Sequence, residues 1–235
     1  HGNWQQNEAL EFQKKVALHL KKSAVIEDLK RPLFEITKVT RYELELACSD
    51  NAMVIYYQAL SDDVDEKVKM MALNHLINQD YFNELRTTQQ LGYLVGAGYA
   101  PFNTRAGIAF YIQSPKFEPS TLLHRHNVFI SQYLSTIDEL TEQTWLQQKH
   151  GLVTHIAEKD KNLRLRSQRL WLAIGNGDHQ FNMQQRLLDS LNALTLEDLK
   201  NYAAEIFNPD RPRYELLSAK SVNQSENLPL YSHSL

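Results

Sequence analysis

The segment Phe82-Asn83-Glu84-Leu85-Arg86-Thr87-Thr88-Gln89-Gln90-Leu91-Gly92-Tyr93 groups the side chains best suited to hold a reacting carbonyl. An arginine and a tyrosine stand seven positions apart, where a helical pattern gives way to a strand pattern. Gly92, directly before Tyr93, permits an irregular backbone at that point. A guanidinium offers a rigid fork of donors to a carbonyl or carboxylate, and a phenol is a neutral donor at pH 7. Arg86 and Tyr93 together have the chemistry to bind a peptide carbonyl or a developing oxyanion. On spacing alone, a structural arginine beside a core tyrosine is the plainer account.

Other chemistries find less support. Nine histidines invite a metal search, but neither His-Glu-x-x-His nor its inverse, His-x-x-Glu-His, occurs. His150 and His155 diverge on a helix, and His124 and His126 diverge further. His155 and Glu158 share a face, yet a catalytic zinc usually takes three protein ligands. His75 falls on an apolar stripe, where a satisfied core histidine is expected. No metal site is therefore expected in this chain. There is no Gly-x-Ser-x-Gly elbow. The single cysteine, Cys48, excludes an internal disulfide and falls in an apolar strand pattern, which predicts an inert core thiol. Gly96-Ala97-Gly98 lies within a strand pattern, where glycine marks close backbone approach rather than a nucleotide loop. The basic cluster Lys159, Lys161, Arg164, Arg166 and Arg169 suits a solvated helix start. Alternatively, Lys159, Lys161 and Arg164 form an anion-binding site.

The elements that must position these residues follow from periodicity. Residues 7–22 form a helical pattern that Arg31-Pro32 closes off, and a strand is predicted over 34–39. Tyr42, Leu44, Leu46 and Cys48 alternate with Arg41, Glu43 and Glu45, and Ser49-Asp50-Asn51 turns the chain into 53–60. That pairing predicts an antiparallel hairpin. Val68, Met71, Ala72, His75 and Leu76 keep helical spacing over 65–80, widened by Met70, Leu73 and Ile77, so this helix is expected to be buried between layers. A second strand pair is predicted over 93–99 and 108–112. Helices follow near 119–139, 142–158, 162–175, 182–192 and 196–207, with Thr141 and Thr195 as N-caps. A short strand, 214–217, precedes a polar tail. The order predicts an α+β fold: a two-layer domain with a mostly antiparallel sheet packed against several helices.

With 235 residues, 43% of them hydrophobic and 23% charged, the chain can bury a sizeable core. A net charge of -3 gives no basic field for nucleic acid or an anionic membrane. No apolar run is long enough to span a bilayer, and no signal peptide is visible. The chain starts His1-Gly2-Asn3-Trp4 and moves at once into a helical pattern, which suggests a piece of something longer.

The segment from Phe82 to Tyr93 resembles the Phe-Asn-x-Leu-Arg-Thr-x-x-Gln-Leu-Gly-Tyr stretch of the pitrilysin/insulysin family of inverted-motif zinc peptidases. His1-Gly2-Asn3, Ile55-Tyr56-Tyr57-Gln58, Ile112-Gln113-Ser114 and Leu194-Thr195-x-Glu197-Asp198 add to the resemblance, which covers essentially the whole chain. The resemblance is to the C-terminal domain, in the style of bacterial pitrilysin. It implies the family's repeat-domain fold, with residues 1–30 the end of a preceding domain or a linker helix. Residues 31–235 are then one globular unit, the domain without zinc. It further implies a metalloendopeptidase that degrades peptides, whose zinc sits in the N-terminal half of the same polypeptide. This chain would hold no cofactor, would be inactive alone, and would close the substrate chamber. By position, Tyr93 would donate to the oxyanion, Arg86 would hold a substrate carbonyl, and Phe82 would line the neighbouring pocket. In insulysin-like relatives a basic region of this domain binds polyanions, and the stretch at Lys159–Lys161 falls near it. The expected partners are a peptide substrate and the N-terminal half, with no nucleic acid and no membrane span. The periplasm is the expected location, with the cytoplasm as the alternative. A non-catalytic partner subunit of the same family is the competing role.

Overall fold

Tyr81, at the end of the long helix expected over 65–80, is fully buried against Phe110 and Phe129, and this junction anchors the layer above the sheet. In the computed structural model the described residues are 2, 4–20 and 34–220, so expectations for Lys21-Lys22, Arg31-Pro32 and the polar tail lie outside them. The elements in order are α1 (Gln6–Leu20), β1 (Thr40–Leu46), β2 (Asn51–Gln58), α2 (Val64–Tyr81), a π-helical extension (Phe82–Thr88), β3 (Leu94–Tyr99) and β4 (Gly107–Ser114). They continue with α3 (Pro119–Asp138), α4 (Glu142–Ile156), α5 (Leu163–Gly175), α6 (Met183–Ala193), α7 (Leu196–Ile206) and β5 (Arg213–Lys220). The fold is α+β, as expected: one five-stranded sheet carries the helices.

The strand order is β1-β5-β2-β4-β3, with β1 and β5 parallel and every other pair antiparallel. Alternate residues of β2 and β4, among them Met53, Ile55, Ile108, Phe110 and Ile112, are buried and form the floor of the core. Helix α2 lies over it with α3 and α7, burying Met70, Leu73, Ile77 and Tyr81 along one line. Thr141 and Thr195 cap α4 and α7, Thr195 through a reciprocal capping box with Asp198.

Four expectations are corrected. The β1–β2 hairpin does not form, because β5 inserts between the two strands. Glu215 on β5, 1% exposed, receives Arg41 from β1 and Arg213 from its own strand, which pins β5 in the gap. Tyr42 and Leu44 remain 52% and 41% exposed, so the alternation in β1 marks an edge strand and not a buried face. Residues 34–39 form no strand. Their backbone is held at Phe34 and Ile36 by the Gln58 side-chain amide, which substitutes for ladder pairing. Cys48 lies in a bend beyond β1, is exposed, and donates to the Asp50 carbonyl. The core histidine is His126, fully buried on α3, whereas His75 on α2 is exposed.

Candidate functional site

Two buried leucines fix the segment that carries Arg86 and Tyr93. Leu85, inside the π-helical extension, and Leu91, just after it, are 0% and 2% exposed. The wider π turn is closed by the Gln89 amide on the Glu84 carbonyl, and the Leu91 amide on the Leu85 carbonyl follows. Gln90 takes a left-handed φ of 53° between them. The irregular backbone thus sits at Gln90. Gly92 is required for a different reason: a Cβ there would lie 1.8 Å from the Gln113 carbonyl oxygen on β4. π-helical turns often occur at functional sites, because the extra residue redirects the side chains of that turn.

Phe82 and Tyr93 are 41% and 57% exposed, and both line an open pocket of about 430 Å³ with Gln79, Leu94 and Tyr111. The Arg86 Nε donates to the Tyr93 carbonyl at 3.3 Å, so the arginine braces the backbone of the tyrosine. That is one of the five bonds its fork can make. Phe82 and Tyr93 therefore line one pocket, and Arg86 adjoins it through the Tyr93 backbone.

The Tyr93 hydroxyl donates to Asp50 Oδ2 at 2.5 Å, and Gln113 Nε2 donates to the same oxygen at 3.0 Å. The Tyr93 hydrogen bond is the main cause that holds the Asp50 carboxyl below its ordinary range, and the same bond raises the Tyr93 phenol. Asp50 is buried in the turn between β1 and β2. Asn51, fully buried beside it, donates to the Phe117 carbonyl and accepts from the Lys220 amide, which locks that turn to the loop before α3 and to β5. In the sequence Asp50 is only part of a turn. Gln113 stood in the Ile112-Gln113-Ser114 match with no role attached. Neither carries a local pattern that would have marked it.

The basic cluster is partly neutralised. Lys161 pairs with Glu158 at 2.9 Å, and Arg169 holds Asp160 through Nε and Nη2. Lys159 and Arg164 are exposed at the surface. Among the described residues, no group of three or more His, Cys, Asp or Glu side chains converges to hold a metal ion. No helix among the described residues is long and apolar enough to cross a membrane.

Residues 72–171 match the family model described as the PQQ synthase PqqF-like C-terminal lobe domain 4. Over 164 residues the chain is 29% identical to insulin-degrading enzyme of Homo sapiens, covering 70% of this chain and 16% of that protein. The chain is similar to PqqF-like C-terminal lobe domains and to insulin-degrading enzyme. A nardilysin-like protein of Arabidopsis thaliana is 24% identical over 175 residues, covering 73% of this chain and 17% of the relative. The crystal structure of pitrilysin has the same fold, with a TM-score of 0.80 at 20% identity, over 99% of this domain and 25% of that chain. The chain thus spans about a sixth of the length of these curated relatives.

Proposed function

We propose that this chain is the substrate-contacting C-terminal part of a zinc metalloendopeptidase of the M16 pitrilysin/insulysin family. In this reading the metal belongs to the N-terminal half of the same polypeptide, and this domain closes the substrate chamber from the opposite side. Arg86 holds a substrate backbone carbonyl, Tyr93 donates to the oxyanion of the tetrahedral intermediate, and Phe82 receives a neighbouring side chain. The observation that carries the reading is the pocket lined by the exposed Phe82 and Tyr93, with the Tyr93 backbone braced by Arg86. The fold and the sequence similarity support the peptidase assignment.

The finer expectations remain part of the same reading. The isolated domain hydrolyses no peptide, residues 31–235 act as one unit following a linker in residues 1–30, and the parent enzyme works in the periplasm. Lys159, Lys161 and Arg164 offer a secondary contact for polyanions, weakened at Lys161 by its pairing with Glu158.

A non-catalytic partner subunit is the second reading, and one observation favours it: the single proton of Tyr93 is already engaged by Asp50. Single-turnover peptide cleavage by the parent protein separates the two. Tyr93→Phe slows the chemical step by about 10²-fold under the first reading, the scale of losing one oxyanion donor. Under the second, the parent protein cleaves nothing.

A further inference from the structure

We infer that Asp50 is the positioning residue of Tyr93, a latch that fixes the exposed phenol and hands over its proton when a substrate oxygen arrives. The inference rests on the catalytic reading of Tyr93 given above. Three observations carry it. Tyr93 is 57% exposed, so packing covers less than half of the residue. What fixes the ring is its hydroxyl, which ends on a buried carboxylate oxygen. Second, that carboxylate does not drift, because the adjoining Asn51 is clamped to both the Phe117 carbonyl and the Lys220 amide. Third, Gln113 donates to the same Oδ2 from β4, the strand whose carbonyl lies against Gly92. Ring, carboxylate and amide are thereby referred to one sheet end.

A phenol has one proton to donate. Tyr93 cannot serve Asp50 and an oxyanion together, so productive binding requires its O–H to turn from one to the other. Gln113 makes that exchange workable, since Asp50 keeps one donor on Oδ2 after Tyr93 leaves. Leaving a buried carboxylate oxygen with no donor would oppose the turn. The groups facing Asp50 are Tyr93 and Gln113, with Ser49 beside it and the Lys220 charge nearby. No acidic group is among them, so the carboxylate stays ionised and competes for the proton.

The test places fluorotyrosine at position 93 of the full-length parent enzyme and records fluorine NMR and peptide cleavage for the Asp50→Ala and Asp50→Asn variants. Thermal melting confirms that each variant folds, and Asp50→Asn, which keeps an acceptor oxygen, carries the test if Asp50→Ala does not fold. With the latch, loss of the carboxylate moves the fluorine resonance and lowers the phenol titration toward that of free fluorotyrosine. The cleavage rate then falls about 10-fold or more through misplacement of the donor, and Asp50→Asn recovers part of it. A resonance and a titration unchanged in Asp50→Ala, or in Asp50→Asn where only that variant folds, would overturn the latch. Normal cleavage by Tyr93→Phe would instead remove the catalytic reading, and the hand-over of the proton with it. The fluorine data would still decide whether Asp50 holds the ring.

Discussion

Tyr93 and Asp50, 43 residues apart in sequence, are joined by a hydrogen bond of 2.5 Å from the phenol to Oδ2. The bond ties the residue that leads into β3 to the turn that leads into β2, across the end of β4. It explains how an exposed aromatic side chain is held ready in one place. It also ranks the neighbours: Arg86 supports the tyrosine's backbone, whereas Asp50 and Gln113 govern its hydroxyl.

Gly92 sets the height of Tyr93 over β4. An added Cβ would meet backbone atoms of Gln113, at 1.8 Å from the oxygen and 2.8 Å from the carbon, and backbone cannot yield as a side-chain tip can. Gly92→Ala is expected to cost about 1–3 kcal/mol or more, the range of overpacked sites. Urea unfolding reads this as a lower midpoint, and an unchanged midpoint would mean that the strand end shifts freely.

Glu215 should matter far more than its exposed partner. It is 1% exposed and receives Arg41 at 2.7 Å and Arg213 at 2.9 Å. Glu215→Ala strands the mostly buried Arg213 and is expected to cost about 3–5 kcal/mol, the scale of breaking a buried pair. Arg41 is about half exposed, so Arg41→Ala is expected to cost roughly 0–1 kcal/mol. Equal losses in the two variants would show that β1, and not the carboxylate, secures β5.

His126 makes stability depend on acid. Burial pushes its imidazole from the ordinary value of 6.5 down to about 3, with Arg213 adding to the effect, and Tyr81 shares a hydrogen bond with its Nδ1. The unfolded chain binds this proton near pH 6.5 and the folded chain only near pH 3. Stability is therefore fully present above about 6.5 and falls as pH drops toward 3, by up to about 1.4 kcal/mol per pH unit from this group. Thermal melts across that window should show the decline, and His126→Gln should flatten it. A slope that survives the substitution would assign the acid sensitivity elsewhere.

The helices were readable because each repeats an apolar face and several carry a capping residue, as at Thr141 and Thr195. The sheet order was not. A hairpin through Ser49-Asp50-Asn51 is the local solution, but β5 pairs residue 214 with residue 40, and no nearby pattern announces so distant a partner. His75 shares the spacing of Val68 and Ala72, which are buried, yet is itself exposed, so that stripe is not covered along its whole length. At the candidate site, Phe82, Arg86 and Tyr93 stood in one segment and were legible together. Asp50 and Gln113 reach Tyr93 only through strand pairing, so their part becomes visible in three dimensions.

The most direct measurement is single-turnover cleavage of a peptide by the full-length parent enzyme carrying Tyr93→Phe, compared with Arg86→Ala. Removal of the Tyr93 proton should lower the chemical rate by about 10²-fold with substrate binding little changed, because the lost bond is one made to the transition state. Arg86→Ala should weaken substrate binding as well as slow the step. Unchanged single-turnover rates in both variants would contradict the assignment of this surface to catalysis.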